Sequence, residues 1–315
     1  MKSKEIIMKT PYEITPGLLQ QIASISEKIG EINALHLNKL SPQLKKQNRI
    51  KFIHSLYQTE KIAYTEKQLR AVIDDNAKDL PQQEINKILN LFSVYDNLKT
   101  FDPYSEQSFL LANQQLMNGL SNEAGRYRTG NLVLIDDAGK KLKKVAAEKL
   151  PLMMQELFDY IKNPEELTLL RSCYFNYKLQ YLSPFSEGNK QMGKLWQTLL
   201  LMQAYPVFEF LPFEYIAEEV DYTLDNASVS IENMLIELES SLSKLLDFKD
   251  RTLTEYDRIF YFLELGINDF TRRDYMNVFK DVSTATASRD LRKAVLLGCV
   301  KKYGEKNQTR YIIKS

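Results

Sequence analysis

The stretch YLSPFSEGNKQMGKLW, residues 181–196, interrupts a part of the chain that is otherwise helical in pattern. Apolar residues recur at helical spacing before it, over Leu167–Leu182, and again after it. Gly188 can adopt a left-handed backbone, and the first N–H groups of a helix that begins near Lys190 have no partners within that helix. The stretch predicts a turn between two helices and, in outline, an anion site; a structural cap without a ligand fits the same residues.

The composition indicates a globular, mostly helical protein. The chain has 315 residues, 44% of them hydrophobic, which is enough for one large core and a smaller second unit. The scarcity of Gly and Pro favours helix, so the predicted class is mainly α. The first residues lack the apolar segment of a signal peptide, and no window suits a bilayer, so we expect a cytoplasmic protein without a membrane partner. Cys173 and Cys299 are expected to be buried free thiols.

The first three quarters of the chain divide into two predicted parts before a long connecting helix. Residues 1–100 predict amphipathic helices, including one over Lys51–Ile62 and a third helix that begins near Thr65 with a polar cap. Residues 101–228 predict a core of further helices with one exception. In Gly125–Asp136 the apolar run favours an extended strand or a small hairpin.

A helix over residues 229–250 is predicted to connect this core to a terminal unit, residues 251–315. The terminal unit shows the order helix, turn, helix and hairpin, with the hairpin tip at Gly304–Gln308 and helix caps at Thr271 and at Ser283 or Thr284. Residues 271–315 carry a net charge of +7, and the rest of the chain carries −6. This split favours an anionic partner for the terminal unit, although a solvated basic face has the same composition.

The segment STATASRDLRKAVLLGCVKKYGEKNQTRYII, residues 283–313, resembles bacterial winged helices, in which a Thr-x-Ser-Arg-Asp-Leu helix precedes a wing that contains glycine. The resemblance implies a winged helix-turn-helix whose second helix enters the major groove of DNA. Such modules also serve in protein interaction or dimerisation, so a homodimer stays open. The candidate DNA-binding residues are Thr286, Ser288, Arg289, Arg292 and Lys293 in the helix and Lys301, Lys302, Lys306 and Arg310 in the wing.

The quoted stretch and its flanking helices resemble the core of the Fic family, whose motif runs His-x-Phe-x-Asp/Glu-Gly-Asn-Gly-Arg-x-x-Arg between two helices. The segment AGRYRTGNLVLI, residues 124–135, is similar to the family's flap hairpin, which aligns the target chain. The resemblance covers nearly the full chain. It implies a Fic-type helical core with a small β-hairpin flap, plus a C-terminal winged-helix domain. Fic enzymes typically transfer AMP from ATP, with a divalent metal, to a hydroxyl group of a target protein, which is expected here at the 125–136 flap.

Part of the Fic motif is matched residue by residue. Phe185 stands where the family has its core phenylalanine, and Glu187 stands where it has its metal-binding carboxylate. Because one carboxylate does not hold magnesium alone, Glu187 is expected to act as a ligand only together with nucleotide phosphates. The cofactor implied is therefore ATP with Mg²⁺. The residues implied in nucleotide or phosphate binding are Gly188, Asn189, Lys190, Gln191 and Lys194.

The remaining motif positions depart from the family pattern. Ser183 takes the place of the catalytic His, Lys190 that of the second Gly, Gln191 that of the first Arg and Lys194 that of the second Arg. A serine hydroxyl is not an effective base near neutral pH, and positioned general-base catalysis contributes about 10²–10⁴-fold. We expect the Ser183 side chain to bond to backbone rather than act as a nucleophile. A left-handed backbone at Lys190 would be strained.

Many Fic proteins carry an inhibitory helix whose Glu pairs with the second Arg. The segment SLYQTEKIAYTEKQL, residues 55–69, is similar to it, with Glu60 at the Glu position. Leu56 and Lys61 depart from the pattern around that Glu. The resemblance implies a Glu60–Lys194 ion pair across the site, while a solvated Glu60 on a helix face is the alternative.

Three hypotheses about function follow from the sequence. In the first, the chain is a Fic-like protein with a degenerate adenylyltransferase motif, catalytically impaired, that acts as a regulatory nucleotide- or nucleic-acid-binding protein. In the second, it is still an active nucleotidyltransferase that moves AMP to a protein hydroxyl. In the third, it is a protein-interaction scaffold. The resemblance supplies a fold with more authority than it supplies a function.

Overall fold

The computed structural model describes residues 11–34, 42–59, 62, 64–77, 80–135, 141–209, 211, 227–247, 255–264, 267–279, 282–304 and 309–313. The chain forms two compact units. The first unit comprises Met1–Glu31 and Arg49–Lys244, and the second comprises Ile32–Asn48 and Leu245–Ser315.

The protein is mainly α, as predicted, and none of its described helices is both long and apolar enough to cross a bilayer. The helices up to the end of the first unit are α1 Pro16–Ala34, α2 Pro42–Thr59, α3 Glu66–Ile73, α4 Gln82–Asp96, α5 Glu106–Leu116, α6 Leu150–Ile161, α7 Thr168–Leu182, α8 Asn189–Ala204 and α9 Ala227–Asp247.

Two helix starts illustrate how local sequence sets these bounds. The Thr65 side chain accepts a hydrogen bond from the backbone N–H of Gln68, whose own side chain accepts one from the Thr65 N–H, so the predicted cap of α3 is confirmed. The helix predicted over Lys51–Ile62 in fact runs over Pro42–Thr59. Its first turn begins at a proline, which suits the first position of a helix and which the apolar pattern did not reveal.

The core of the first unit is built around one aromatic cluster. Trp196 of α8 is fully buried, and its ring lies 5.0 Å from that of Phe109 in α5, with Phe158 and Phe175 close by. Its indole N–H donates to the carbonyl of Pro103 at 2.9 Å. Phe185, from the loop between α7 and α8, adds a ring 5.3 Å from Phe109. The loop is therefore anchored on the core by an aromatic side chain.

A two-stranded antiparallel hairpin lies between α5 and α6. Strand β1 is Val133–Ile135 and strand β2 is Lys141–Lys143, with Leu134 opposite Leu142. The predicted hairpin is thus present, but extended structure is confined to its end, because turns precede it and Gly125 adopts a φ of +76°. The second strand was not identified from the sequence, since its lysines interrupt the apolar alternation that marks a strand.

The helix predicted as a connection is α9, and its apolar face lies in the first unit. Ile231, Leu235, Leu238 and Leu242 are buried, and they follow helical spacing. Most of α9 is therefore a core element of the first unit and not a bare linker.

The second unit contains α10 Glu255–Glu264, β3 Asp269–Phe270, α11 Arg272–Val278, α12 Thr284–Leu296, β4 Val300–Tyr303 and β5 Arg310–Ile313. The strands form an antiparallel sheet in the order β3, β5, β4, so the predicted hairpin β4–β5 is confirmed and the short strand β3 was missed. Thr271 and Ser283 cap α11 and α12 as predicted. The Gly304–Gln308 tip lies outside the described residues beyond Gly304.

The core of the second unit encloses an ion pair. Asp290 of α12 is fully buried and accepts two hydrogen bonds from the Arg258 guanidinium, at 2.6 and 3.0 Å. The hydroxyl of Tyr275 donates to the same carboxylate at 3.1 Å. These contacts fix α12 against α10 and α11, and the hydrogen bond with Asp290 raises the pKa of Arg258.

Candidate functional site

The helix α7 ends at the position predicted to replace the catalytic base. Ser183 adopts a left-handed backbone, φ 44° and ψ 64°, and its N–H donates to the carbonyl of Leu179 at 2.8 Å. Its hydroxyl donates to the carbonyl of Gln180 at 2.7 Å, and only 4% of the residue is exposed. The Ser183 hydroxyl therefore bonds to backbone, as expected, and terminates the helix.

The next helix, α8, begins after a glycine. Gly188 has a φ of +81°, and a Cβ atom added there would lie 3.0 Å from the sulfur of Met117. Lys190 lies inside α8 and is not among the residues with a positive φ. Lys190 is therefore spared the strain that a left-handed backbone would cause there, because the left-handed turn falls two residues earlier, where glycine accommodates it.

The side chain of Asn189 closes the turn. Its Oδ1 accepts from the N–H of Phe185 at 2.9 Å, and its Nδ2 donates to the carbonyl of the same residue at 2.8 Å. The carbonyl of Asn189 accepts from Nε2 of Gln180 at 3.0 Å. Because both ends of the Asn189 amide are engaged with Phe185, this side chain fixes the shape of the turn.

The carboxyl end of α7 is covered by a buried arginine that the sequence analysis did not single out. Arg128 donates through Nε to the carbonyl of Ser183 at 2.8 Å and through Nη2 to that of Leu182 at 3.3 Å. Its backbone N–H donates to Pro184 at 2.9 Å. Burial lowers the pKa of Arg128 from its ordinary value. The position of this arginine inside the predicted flap, residues 125–136, was the available signal.

The turn opens into a pocket of about 380 Å³. Its described lining combines polar and apolar residues and includes three lysines and one carboxylate. The polar residues are Lys87, Lys144, Gln180, Ser183, Ser186, Glu187, Gly188, Asn189, Lys190 and Gln191. The apolar residues are Ile62, Leu91, Leu116, Met117, Leu120 and Leu132, together with Tyr57. Pockets that bind small molecules commonly combine an apolar lining with a few polar groups.

The three pocket lysines differ in their surroundings. Lys87 pairs with Glu84 at 3.1 Å, and Glu84 also accepts a hydrogen bond from Tyr64, which holds the pKa of this carboxyl below its usual range. Lys144 donates to the carbonyl of Gln180 at 3.1 Å. Lys190 is exposed and lies in the first turn of α8, where a phosphate meets backbone N–H groups.

Lys194, predicted to bind phosphate, lies elsewhere. Lys194 is only 5% exposed and is not among the lining residues of the pocket. Its Nζ lies 3.0 Å from Oε2 of Glu237 in α9. Glu60, its predicted partner, lies outside the described residues. The structure therefore gathers the predicted residues from Ser183 to Gln191 in one pocket and places Lys194 in the core behind it.

A layer of polar side chains lies between α7 and α8. Asn176 donates to Gln197 at 2.9 Å, and Gln180 donates to Asn176 at 3.3 Å. Gly193 faces both, and a Cβ atom there would lie 2.2 Å from Oδ1 of Asn176. Beside this layer, burial raises the pKa of the Cys173 thiol to about 12. Both cysteines are free, but Cys299 is half-buried and not fully buried as expected, because it lies in the turn between α12 and β4, near the exposed Leu296 and Leu297.

Metal ligands are sparse in this site. Among the described residues no group of three or more His, Cys, Asp or Glu side chains could hold an ion, and Glu187 is the pocket's acidic side chain. Glu187 is exposed, so it can supply one oxygen to a magnesium ion whose other ligands are phosphate oxygens and water.

In the second unit the predicted DNA-binding residues separate into two groups. Arg289, Arg292, Lys301 and Lys302 are exposed. The remaining residues have partners inside the unit. Lys293 lies 3.6 Å from Glu255 and over the ring of Tyr256. Arg310 pairs with Asp269 at 2.9 Å. Ser288 donates to the carbonyl of Thr284, and Thr286 donates its N–H to the Ser283 cap. Lys306 lies outside the described residues.

One exposed arginine near this surface was missed. Arg272, the first residue of α11, donates through Nη1 to the hydroxyl of Ser288 at 3.0 Å. Arg272 therefore brings a further positive charge to α12, the helix that was predicted to bind DNA. Its position directly after the Thr271 cap was the sequence signal that could have identified it.

A helical core with a two-stranded hairpin and a pocket at a helix–turn–helix junction defines the class of this protein. The model of the Fic/DOC family matches residues 103–201, which contain this junction. No relative was found among curated proteins. The chain carries a domain of the Fic/DOC family.

Solved structures agree with this assignment. A Fic family protein from Desulfovibrio desulfuricans G20 is similar over 98% of each chain, with 26% identity and a TM-score of 0.70. A Fic-domain-containing signalling protein from Bacteroides thetaiotaomicron is similar over 74% of this chain and 100% of its own, with 14% identity and a TM-score of 0.59. Fic-1 from C. elegans shares the fold over 73% of this chain and 72% of its own, with 15% identity and a TM-score of 0.54.

Proposed function

We propose that this Fic-domain protein binds a nucleotide in the pocket at the start of α8 and does not transfer AMP by the family's usual route. One observation carries the proposal. The residue at the position of the catalytic His is buried and caps a helix, while the adjoining helix start faces a lysine-lined pocket.

The loss of the usual base follows from the contacts of Ser183. Its hydroxyl proton points to the carbonyl of Gln180, and its left-handed backbone directs the residue into the helix end. A hydroxyl in that position cannot take a proton from an attacking group near neutral pH. Under this proposal, the chain lacks the rate enhancement of about 10²–10⁴-fold that a positioned general base contributes.

The case for nucleotide binding rests on charge and shape. Among the described lining residues, Lys87, Lys144 and Lys190 outnumber Glu187, and the first turn of α8 adds N–H groups that suit an anion. The apolar lining residues give a base a surface to pack on. We assign ATP with Mg²⁺ as the first ligand to test, with Glu187 as the protein's metal ligand and a regulatory role in the cytoplasm.

Calorimetric titration of ATP, with Mg²⁺ and then with EDTA, tests the proposal. We expect binding that weakens in Lys190→Ala and is unchanged in Lys162→Ala, an exposed lysine of a different surface that pairs with Asp159. The absence of binding in every arm contradicts the proposal and favours the scaffold hypothesis. Transfer of label from the α-phosphate of ATP to protein favours the active-enzyme hypothesis instead.

A second function, DNA binding, is proposed for the second unit. The order helix, strand, helix, helix, strand, strand and the sheet order β3, β5, β4 support a winged helix with α12 in the major groove. The exposed Arg289, Arg292, Lys301 and Lys302 support contacts to phosphates and bases.

A gel shift of the full chain with duplex DNA over a range of salt tests this second function. Arg292→Gln should weaken binding and flatten the salt dependence. Lys293→Gln is the matched control, because it removes the same charge from the next residue, whose side chain is occupied by α10. Equal losses of DNA affinity in the two variants would mean that only net charge matters and that Arg292 makes no specific contact. If the full chain shifts no DNA even at low salt, the proposal of DNA binding is wrong.

A further inference from the structure

Arg128 joins three segments through carbonyl groups. Its side chain is 4% exposed and bonds to the end of α7 at Leu182 and Ser183. It also donates through Nη1 to Gly130 at 2.8 Å and through Nη2 to Val145 at 2.5 Å. These last two carbonyls lie on the two stems of the hairpin, which are the segment that leads into β1, where Gly130 lies, and the segment that follows β2, where Val145 lies. One guanidinium thus links both stems to the helix end that opens the pocket.

The chemistry of this contact requires an arginine. A buried cation is costly unless its donors are satisfied, and here the carbonyls at the negative end of a helix supply the acceptors. The planar guanidinium presents five N–H groups in a fixed fork, which lets it reach diverging carbonyls at once. A lysine ammonium carries the same charge but cannot span these positions.

Arg128 is connected to the pocket through the backbone next to Lys144. Val145, whose carbonyl Arg128 binds, follows Lys144, whose N–H donates to the carbonyl of Leu132 at 3.0 Å. The Lys144 ammonium donates to the carbonyl of Gln180, and both residues line the pocket. Arg128 therefore fixes the backbone beside one of the three pocket lysines without touching the pocket itself.

We infer that Arg128 is a positioning residue, which holds the hairpin stem so that Lys144 faces the anion pocket. The inference deepens the proposed function, since it names the residue that sets one of the cations at the same site. It also predicts that the hairpin and the pocket respond together when Arg128 is changed.

A double-mutant cycle with ATP as the probe tests the inference. Lys144→Gln should weaken binding about fivefold, as expected for one solvent-accessible charge contact, and Arg128→Lys should weaken it by a similar factor. Arg128→Lys in the Lys144→Gln background should cause no further loss, because both changes act through the same ammonium. If the two losses in ATP affinity multiply in the double variant, or if Arg128→Lys binds ATP as tightly as wild type, the inference is overturned.

Hydrogen exchange separates this inference from the proposed function, because it needs no ligand. In Arg128→Lys, exchange should accelerate at the amides of Arg128 and Lys144, which bond to Pro184 and Leu132, and stay unchanged in α9. Unchanged exchange at these two amides, or a uniform rise across the first unit, contradicts positioning even if ATP binds. Arg126→Lys, an exposed arginine two residues away, is the control and should behave as wild type.

A second variant keeps the test valid if Arg128→Lys does not fold. The Oδ1 of Asn131 accepts from the N–H of Ala147 at 3.2 Å and so restrains the same stem from its other end. Asn131→Ala should accelerate exchange at Lys144 to a smaller extent and weaken ATP binding in the same direction. Wild-type exchange at Lys144 in this variant would overturn the inference.

Discussion

The two helix ends that meet at the pocket are built in opposite ways. At the carboxyl end of α7, the carbonyls of Gln180, Leu182 and Ser183 are all occupied by side chains of the protein itself. At the amino end of α8, Gly188 leads into a first turn that contains Lys190 at the pocket's edge. The first end is closed by internal contacts, whereas the second, under the proposed function, binds an anion.

If the proposed function is correct, the difference means that the two halves of the motif are separable. The catalytic half depends on a side chain that is free to take a proton, and Ser183 is instead part of a helix cap. The anion-binding half depends mainly on backbone conformation, which Gly188 and the hydrogen-bonded Asn189 hold here. In that case the chain lacks the reactive group and keeps the binding geometry.

The largest expected effect comes from crowding the polar layer between the two helices. Gly193→Ala places a Cβ atom 2.2 Å from Asn176 and 2.4 Å from Gln180, so these buried amides must shift and break their hydrogen bonds, or the helices must separate. We expect a loss of about 3 kcal/mol in the free energy of unfolding. Gly30→Ala is the control, because nothing lies within 4 Å of the added atom and alanine favours helix. Chemical denaturation of both variants measures the contrast, and equal stability would refute the close packing.

Asn189→Ala should have the next largest effect, because it opens the turn between the helices. Loss of its two hydrogen bonds to Phe185 should cost about 2 kcal/mol, at roughly 1 kcal/mol for each bond. ATP binding should weaken as well, as the start of α8 loses its support. Asn189→Asp retains the acceptor and suits a helix start, so it should lose less. Denaturation and calorimetry check this, and an equal loss in both variants would contradict the pairing described.

Ser183→Ala tests whether the closed helix end has any chemical role. Loss of the bond to Gln180 should reduce stability by about 1 kcal/mol, and ATP affinity should stay within about twofold of wild type. Ser183→Gly should be nearly neutral, because glycine relieves the left-handed backbone while losing the same bond. If Ser183→Ala abolishes an AMP-transfer activity that the native protein shows, the comparison of the two ends fails.

Lys190→Gln should produce the smallest effect, confined to the open helix end. The residue is exposed, so stability should hardly change, while ATP affinity at low salt should fall about fivefold. The difference should shrink as salt is raised, because an exposed charge is screened. Calorimetry at two ionic strengths provides the measurement. A loss that persists at high salt would mean that Lys190 is desolvated in the complex.

Much of the fold was predictable because it depends on local patterns. The turn at Gly188, the caps at Thr65 and Thr271 and the hairpin β4–β5 all follow from residue types at fixed spacing. Strand β3, only two residues long, has no pattern of its own and exists through pairing with β5. Elements formed by long-range pairing leave little trace in the sequence near them.

The site was predictable as a location but not in its contacts. Ser183, Glu187 and Lys190 do line one pocket, as neighbours along one turn must. Lys87 and Lys144, which come from distant segments, could not be found by the spacing of a single motif. The pairing of Lys194 with Glu237 was also hidden, because the two residues are 43 positions apart and come together only when α9 packs on α8.

That buried pair sets a lower limit on the size of an independently folding domain. A chain shortened to end at Leu201 would contain Lys194 but would lack Glu237 and the buried apolar face of α9, which includes Ile231, Leu235 and Leu238. It would therefore lose an ion pair of the core together with apolar burial worth about 1.5–3 kcal/mol for each of these side chains, a large share of the stability of an ordinary domain. The part of the protein that matches the family model is therefore smaller than the part that must fold together, and α9 belongs to the latter.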